Sequence, residues 1–246
     1  SLTIWDINEQ NMADTKAELS TKGEVYTQKV DVSNTTQVEE AANIAKKNAG
    51  DIDILINCAG FGISGAVEFT TTEEAKKQFE VNFFGAVTVT RTVLPYMREQ
   101  KSGRIVNISS VAAVAHIPFQ TYYSASKAAM ESYTCCLDNE VKPFGIRVTA
   151  VAPGDICTEF TGARQKSFDG DDVYGGRISR SVSGMEKDEQ KGMSPESAGR
   201  YIAKIALKKS VKPIYAIGFG YKFLSTLCKV FPCSIRNKIV RMLYAR

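Results

Sequence analysis

The most reactive combination of side chains in the sequence is a tyrosine followed four residues later by a lysine, Tyr123 and Lys127. The surrounding stretch has helical patterning, so this spacing places both side chains on one helical face. An isolated phenol has a pKa of about 10, and a neighbouring ammonium lowers that value by favouring the phenolate. The pair therefore predicts a group that exchanges a proton with a substrate, although ordinary surface pairs have the same spacing.

Two further polar side chains are expected near this pair. Ser110 ends the strand-like run that starts at Arg104, 13 residues before Tyr123, and Asn82 lies inside a long helical stretch. A hydroxyl, a phenol, an ammonium and a buried amide can together polarise a carbonyl group and protonate its oxygen. The candidate catalytic residues are Asn82, Ser110, Tyr123 and Lys127.

Strand-length apolar runs alternate with helix-length stretches almost to the end of the chain. The predicted strands are Leu2–Asp6, Glu24–Val30, Ile52–Asn57, Gly103–Ser109, Ile146–Val151 and Pro213–Ile217. The predicted helices are 8–20, 35–48, 72–100 (with a break), 120–142 and 195–208. The alternation predicts a single α/β domain, Rossmann-like, with a doubly wound parallel sheet. The stretch 153–193 is rich in Gly, Ser, Asp and Arg and is expected to be an irregular lid or a disordered loop.

Ligands of open parallel sheets bind beyond the carboxyl ends of the strands. In this sequence those ends carry small and polar residues: Asp6, Asp31, Asn57–Gly60, Ser109–Ser110 and Pro153–Gly154. We therefore expect the site at this edge of the sheet.

In their order and spacing, several of these segments resemble the short-chain dehydrogenase/reductase family. The matching segments, within residues 1–217, are Asp31-Val32, Asn57-Cys-Ala-Gly60, Val81-Asn82, Ile108-Ser-Ser110, Tyr123-Ser-Ala-Ser-Lys127 and Pro153-Gly-Asp-Ile-Cys-Thr158. The resemblance implies an oxidoreductase that takes its hydride from a nicotinamide cofactor. It also implies that Tyr123 is the general acid in reduction and the base in oxidation, and that Ser110 hydrogen-bonds the substrate oxygen.

The resemblance assigns the remaining polar residues to the cofactor. Lys127 would hold the nicotinamide ribose hydroxyls and lower the pKa of Tyr123, and Asn82 would anchor a water that passes protons to Lys127. The expected cofactor-binding residues are Asp6, Ile7, Asp31, Val32, Asn57, Ala59, Gly60, Tyr123, Lys127, Pro153, Gly154, Ile156 and Thr158. Within that set, the residues from Pro153 to Thr158 would line the nicotinamide, and Asp31 and Val32 would contact the adenine.

The coenzyme preference is predicted from Asp6. A carboxylate at the end of the second strand of the family fold accepts hydrogen bonds from the ribose diol and repels a 2′-phosphate. The next residue is Ile7 rather than an arginine. NAD(H) is therefore expected over NADP(H).

The chain departs from the family pattern at its start. The family opens with a strand and a glycine-rich turn that presents backbone N–H groups to the pyrophosphate, and this chain begins inside what resembles the second strand. We expect that strand and turn to precede Ser1 in a longer protein. The expected organisation is a catalytic domain over 1–217 and a basic amphipathic helical tail over 218–246.

Composition excludes several other classes of protein. A net charge of +4, a hydrophobic share of 43% and no apolar run of about 18 residues are typical of a globular protein without a transmembrane span. Six Cys without a CxxC pair and the single His116 provide no zinc ligand set and argue against a Ser-His-Asp hydrolase. We expect buried reduced thiols, a cytoplasmic location, no metal and no nucleic-acid partner.

The charge is unevenly distributed along the chain. All 27 acidic residues lie at or before Glu196, whereas residues 197–246 contain 11 Lys and Arg among bulky apolar residues. Two interpretations stay open. The apolar stripe of the tail could pack on the body or on another subunit, or the tail could lie on an anionic membrane surface or admit an apolar substrate.

The expected substrate is a hydrophobic small-molecule alcohol or ketone, because the candidate pocket residues are largely apolar. These residues are Phe61, Ile63, Val114, Ile117, Phe119, Phe160 and Tyr174. The leading hypothesis is an NAD(H)-dependent oxidoreductase for a steroid-like, retinoid-like or long-chain secondary alcohol and its ketone. Two alternatives are a beta-ketoacyl carrier-protein reductase and a non-catalytic dinucleotide-binding regulatory protein. A homodimer or homotetramer through the helices 72–100 and 120–142 is expected.

Overall fold

A computed structural model of the chain describes residues 1–244, apart from the side chains of Phe219, Lys229 and Leu243. Ala245 and Arg246, the last two residues of the predicted tail, lie outside the described residues. The strands are β1 (Leu2–Asp6), β2 (Val25–Lys29), β3 (Ile54–Asn57), β4 (Ile63–Ser64), β5 (Gly103–Ile108), β6 (Ile146–Pro153), β7 (Gln165–Lys166) and β8 (Ile214–Ile217). The helices are α1 (Glu9–Leu19), α2 (Thr35–Ala49), α3 (Thr72–Phe79), α4 (Ala86–Glu99), α5 (Ala112–Ala115), α6 (Thr121–Val141), α7 (Phe160–Ala163), α8 (Arg177–Gln190), α9 (Pro195–Ala206), α10 (Phe219–Val230) and α11 (Cys233–Tyr244).

The six predicted strands are confirmed, and they pair in parallel as an α/β fold requires. Strands β3, β5, β6 and β8 form a four-stranded parallel sheet in the order β3-β5-β6-β8, and β1 pairs with β2 in a separate parallel ladder. Within residues 1–244 no ladder joins β1 to β3. The two pieces share one core, because Trp5 of β1 and Leu55 of β3 pack against the same buried cluster, which includes Val93, Met97 and Ile105.

Helices cover both faces of the four-stranded sheet. The first cluster takes Val89 and Val93 from α4 and Leu137 from α6. A second cluster packs α9 through Ala198 and Ile205 against Val106, Val151 and Ile217. Strands β5 and β6 are therefore buried on both faces, which explains their nearly continuous apolar sequences.

The predicted break in the helical stretch 72–100 is a π-helical turn at Glu80–Gly85 between α3 and α4. At Gly85 an added Cβ would lie 2.6 Å from Val32 Cγ2, so glycine allows the turn to pack this close to Val32, three residues after the end of β2. Asn82 lies within the turn and is buried. Such π turns occur frequently at functional sites.

The prediction of an irregular stretch over 153–193 is wrong. Residues 177–190 form α8, which buries Ile178, Val182 and Met185 at intervals of four and three residues. The helical pattern is present in the sequence, but it is short and lies among Gly, Ser and charged residues, which favour a loop by composition.

The prediction of buried cysteines is also wrong in large part. Of the six free cysteines, Cys228 is buried and Cys135 is partly buried, whereas Cys58, Cys136, Cys157 and Cys233 are exposed. Cys136 lies on α6 and Cys233 begins α11, whereas Cys58 directly follows β3 and burial raises the pKa of its thiol although the residue as a whole is exposed.

Helices α10 and α11 place one face on the body and leave the other uncovered. Ser225 and Cys228 of α10 and Val240 of α11 are buried, while Phe223 and Val230 are 67% and 74% exposed. Among the described residues, no helix is both long and apolar enough to cross a bilayer.

Candidate active site

A cavity of about 200 Å³ lies at the carboxyl ends of β5 and β6, where the sequence predicts a site. It collects eight of the predicted residues: Gly60, Ser110, Tyr123, Lys127, Pro153, Gly154, Ile156 and Thr158. The other predicted residues do not line it: Asp6, Ile7, Asp31, Val32, Asn57, Ala59 and Asn82. Of the predicted apolar lining, Ile117 and Phe160 are present.

The Tyr123 phenol is held by a hydroxyl and an aromatic ring. The Ser110 hydroxyl lies near enough to the phenol to oppose the rise in its pKa as a hydrogen-bonding neighbour, and it accepts a hydrogen bond from the Ala112 backbone N–H at 3.1 Å. The Phe160 ring lies 5.8 Å from the Tyr123 ring, centroid to centroid. This arrangement leaves the hydroxyls of Ser110 and Tyr123 together at the cavity wall, where both can contact one substrate oxygen.

The expected lowering of the Tyr123 pKa by Lys127 is not observed. Burial raises the pKa of Tyr123, and the opposing effects come first from the Ser110 hydrogen bond and then from Arg164. The Lys127 ammonium lies 5.7 Å from the centre of the phenol ring. Removal of the phenolate from water outweighs its attraction to nearby cations, so the Tyr123 phenol stays protonated.

Lys127 is almost fully buried, with 5% of its surface exposed. Its ammonium donates a hydrogen bond to the Ile108 carbonyl at 2.8 Å. Burial lowers the pKa of Lys127 to about 8, and an interaction with Cys58 partly opposes that shift. A lysine placed in a cavity wall without an ion-pair partner among the described residues is costly to the fold, which is typical of a functional group.

Asn82 holds the loop beside the cavity rather than contacting Lys127. Its Oδ1 accepts a hydrogen bond from the Phe61 N–H at 2.9 Å, and its Nδ2 donates to the Phe61 carbonyl at 2.9 Å. A Cβ at Gly60 would lie 3.2 Å from Asn82 Oδ1 and 3.7 Å from Lys127 Nζ. The glycine thus lets the backbone pass close to both side chains.

Asn57 is tied into the sheet. Its side-chain amide donates to Thr90 Oγ1 at 3.1 Å and to Asn107 Oδ1 at 2.8 Å, and the Asn107 amide donates to Thr134 at 2.9 Å. These bonds fix the ends of β3 and β5 to α4 and α6. Ala59, two residues on, is exposed.

The residues predicted for the adenosine end lie apart from the cavity. Asp6 is exposed at the end of β1, where its Oδ1 accepts a hydrogen bond from the Asn8 N–H at 2.8 Å, and Ile7 is 66% exposed. Asp31 accepts hydrogen bonds from the backbone and hydroxyl of Ser33, and Val32 packs against the core.

The loop between α5 and α6 supplies Ile117 to the cavity and has a strained backbone. His116 and Phe119 adopt left-handed conformations with φ of 48° and 59°. The strain is compensated locally, because Phe119 accepts a hydrogen bond from Gly65 and packs edge-to-face on Tyr174. That packing explains why Phe119 and Tyr174, predicted to line the pocket, are absent from its wall.

Sequence reasoning missed a charged wall of the same cavity. Asp155, Asp188 and Glu189 line it together with Arg164, whose guanidinium forms an ion pair with Glu189. Asp155 and Arg164 lie in the stretch predicted to be irregular, and the other two lie on the unpredicted helix α8. Asp155 could have been identified from the sequence, because it directly follows Pro153-Gly154, which are predicted to line the site.

Two tyrosines of the C-terminal helices contribute to the cavity, Tyr244 in its wall and Tyr221 packed behind Gly154 and Asp155. The Tyr221 hydroxyl donates a hydrogen bond to Asp155, and its ring fills the space where a Cβ of Gly154 would lie. Tyr244 lines the cavity, and burial raises its pKa to about 12. The same burial raises the pKa of Tyr221, so both phenols are neutral at physiological pH.

Comparison with known proteins places this geometry in a family. A family model described as short chain dehydrogenase matches residues 1–168. A 3-ketodihydrosphingosine reductase of Bacteroides thetaiotaomicron is 43% identical over 190 residues, which are 76% of this chain and 71% of that protein. A probable short-chain type dehydrogenase/reductase of Helicobacter pylori is 32% identical over 218 residues, 87% of this chain and 79% of that protein. A crystal structure of a short-chain dehydrogenase from Streptomyces avermitilis superimposes with a TM-score of 0.82 at 27% identity, covering 97% of this chain and 86% of that one.

Proposed function

This chain belongs to the short-chain dehydrogenase/reductase family, and from that premise we propose that it reduces a hydrophobic long-chain ketone to the secondary alcohol with NADH. The observation that carries the proposal is the meeting of Ser110, Tyr123 and Lys127 in one cavity whose remaining wall includes Ile117, Phe160 and Met185. The polar groups suit a carbonyl oxygen, and the apolar ones suit a hydrocarbon chain. The 3-ketodihydrosphingosine reductase among the relatives supports a long-chain substrate over a steroid or a retinoid.

The cavity fits a nicotinamide cofactor at its polar side. The buried Lys127 ammonium uses one hydrogen to bond Ile108, and its others suit the ribose hydroxyls. Gly60 and Pro153-Gly154 line the same cavity, so their backbone is within reach of the cofactor. When bound, the cofactor supplies the hydride that the side chains of this chain cannot supply.

The protein side chains handle the oxygen and its proton. Ser110 and Tyr123 hold the carbonyl oxygen by hydrogen bonds that strengthen as negative charge develops on it. Tyr123 then gives its proton to that oxygen, since burial keeps the phenol protonated. Lys127 packs beside the Tyr123 ring, and Asn82 holds the loop at Phe61 by hydrogen bonds, so both help to position the phenol.

The test is an assay of NADH oxidation with a panel of ketones that differ in chain length. We expect kcat/KM to rise with chain length, by up to about tenfold for each pair of buried methylenes. A panel in which short polar ketones are reduced as well as long ones would contradict the apolar substrate. No reduction of any ketone with either coenzyme would contradict the function itself.

Asp6 should set the coenzyme preference. Its exposed carboxylate has the position and charge to accept hydrogen bonds from a ribose diol and to repel a 2′-phosphate. We expect Asp6→Ser to lower kcat/KM for NADH about tenfold and to raise it for NADPH. The matched control is Asp14→Ser on the exposed side of α1, which should leave the ratio of the two coenzymes unchanged. An unchanged ratio in Asp6→Ser would remove this carboxylate from coenzyme selection.

The outer face of α10 and α11 suits an anionic lipid surface. Phe223 and Val230 on α10, and Ile235, Ile239 and Met242 on α11, are exposed at helical spacing, so each helix presents an apolar stripe. Lys222, Lys238 and Arg241 are exposed around the stripes, and residues 197–246 contain no acid. Two copies of this face would repel each other, whereas anionic headgroups would complement it.

Vesicle sedimentation tests the lipid contact. We expect the protein to sediment with vesicles of phosphatidylcholine and phosphatidylglycerol and to remain unbound with phosphatidylcholine alone. Val230→Asp should reduce the bound fraction severalfold, while Val173→Asp, at a position equally exposed at 74% but outside the tail, should not. A dimer that forms through this face in solution, with no vesicle binding, would contradict the proposal.

A further inference from the structure

The first helix of the C-terminal segment, α10, contacts two residues of the cavity wall. Gly154 and Asp155 line the cavity together with Tyr123. Tyr221 lies in the first turn of α10 and is not among the residues that line the cavity. Its ring fills the space where a Cβ of Gly154 would lie, and its hydroxyl donates a hydrogen bond to the Asp155 carboxylate. Tyr221 therefore supports this part of the wall from behind.

The backbone of the same two wall residues is held from two other directions. The Gly154 N–H donates a hydrogen bond to the Ile217 carbonyl of β8 at 3.3 Å. The Asp155 carbonyl accepts one from the Met193 N–H at 2.9 Å, in the connection between α8 and α9. These bonds fix the main chain and not the side chain. Among the residues that the structure describes, Tyr221 is the one hydrogen-bond donor to the Asp155 carboxylate.

Electrostatics make this hydrogen bond costly to lose. Burial raises the pKa of Asp155, and the hydrogen bond from Tyr221 is the largest of the effects that oppose the rise. Glu189 and Asp188 raise that pKa further, because like charges repel. A partly buried carboxylate that loses its donor is destabilised. We therefore expect the Asp155 side chain to leave its position when the Tyr221 hydroxyl is removed.

The turn from β8 into α10 leaves room for the Tyr221 ring. Gly218 precedes α10 with a φ of 98°, in the region that favours glycine. A Cβ at this position would lie 2.9 Å from Cδ2 of the Tyr221 ring. Gly218 and Gly154 thus flank the ring, and a side chain at either position would displace it.

We propose that Tyr221 is a positioning residue for the nicotinamide end of the coenzyme, because it holds Gly154 and Asp155 in the wall against which that ring binds. The inference rests on the proposed ketone reduction. The nicotinamide carries the hydride, so it must lie in the cavity that contains Tyr123, and Gly154 and Asp155 line that cavity. The segment 218–246, expected from the sequence to be a separate tail, then supplies part of the coenzyme site.

The experiment compares the dissociation constants of NADH and ADP-ribose in the full-length protein, measured by calorimetric titration. ADP-ribose is the coenzyme without its nicotinamide, so it reports on the adenosine end alone. We expect Tyr221→Phe to raise the Kd of NADH about tenfold, the effect of losing one hydrogen bond to a charged group, and to leave the Kd of ADP-ribose within about twofold.

Variants at Asp155 test whether the two residues act as a pair. Asp155→Ala removes the acceptor and should raise the Kd of NADH by a similar factor, and Tyr221→Phe should add little to it in the double variant. Asp155→Asn retains an acceptor oxygen for the Tyr221 hydroxyl and should restore most of the binding. Fully additive effects in the double variant would mean that the two residues act separately, which contradicts the inference.

The matched control is Tyr201→Phe, which removes the same hydroxyl from an exposed tyrosine of α9 outside the cavity lining and should leave both Kd values unchanged. An equal loss of NADH and ADP-ribose binding in Tyr221→Phe would overturn the inference while leaving ketone reduction intact. A lower unfolding midpoint in urea with no change in either Kd would do the same, because Tyr221 would then serve the fold alone. If the unchanged protein bound neither NADH nor NADPH, the proposed function would be contradicted as well.

Discussion

Replacement of Tyr123 by phenylalanine is expected to lower kcat and kcat/KM together by about 10²- to 10⁴-fold. The phenol of Tyr123 lies in the cavity wall near Ser110. Among the described residues of α6, no other hydroxyl group lines the cavity. The ring stays in place against Phe160, so substrate binding and the fold should change little. Rates at saturating ketone, measured by loss of NADH absorbance, provide the test.

The neighbouring Tyr122 is the matched control, because it has the same side chain, lies in the same helix and does not line the cavity. Tyr122→Phe should retain nearly full activity. If Tyr123→Phe retained more than about a tenth of the rate, a different proton donor would be required, and the assignment of general acid would be wrong.

Replacement of Lys127 by methionine is expected to separate function from stability. Loss of the ammonium that can hold the cofactor ribose should reduce kcat/KM about 10²-fold, mainly by weakening coenzyme binding. At pH 7 the variant should nonetheless be more stable, because burial lowers the pKa of Lys127 to about 8 and the charged form is therefore costly to the fold. That cost is about 3 kcal/mol, and part of it is offset by the bond to the Ile108 carbonyl that methionine cannot make.

The pH dependence follows from the direction of the shift. A lysine whose folded pKa is depressed destabilises the fold wherever both states are protonated, which is below about pH 8. Between that value and the unfolded pKa of about 10.4, rising pH releases the proton from the folded state first and stabilises that state. The stability advantage of Lys127→Met over the unchanged protein should therefore shrink from pH 7 to pH 10.

Paired urea unfolding curves at the two pH values measure this difference. Lys47→Met, at an exposed position of α2, should show neither the loss of activity nor the dependence on pH. An advantage that stays constant from pH 7 to pH 10 would mean that the Lys127 ammonium is not penalised by its surroundings.

The sequence predicted the parts of the site that depend on local spacing. Tyr123 and Lys127 are one helical turn apart, and Ser110 follows a strand whose buried apolar pattern is unambiguous, so their convergence follows from the parallel sheet alone. The strands themselves were predictable because burial on both faces requires continuous apolar runs.

The carboxylates that line the cavity could not be predicted, because no local spacing or burial pattern marks them in the sequence. Asp188 and Glu189 lie on the polar side of α8, where nothing distinguishes a cavity-facing carboxylate from a solvated one. The contact between Asp155 and Tyr221 joins residues from distant parts of the chain through a tertiary approach that carries no sequence period. The raised pKa of Tyr123 likewise depends on how much water the fold removes, which a motif does not encode.

The cavity is built from two parts of the chain, because Tyr244 lies in its wall and Tyr221 packs on Gly154 from the C-terminal helices. The proposed reacting groups come from residues between Gly60 and Lys127, while much of the enclosure comes from residues between Asp155 and Tyr244. Substitutions in the last third of the sequence can therefore change which substrate is bound while the catalysed reaction stays the same. In evolution, the reacting residues and the residues that select the substrate can therefore change independently. A search for altered substrate range should begin with the C-terminal segment.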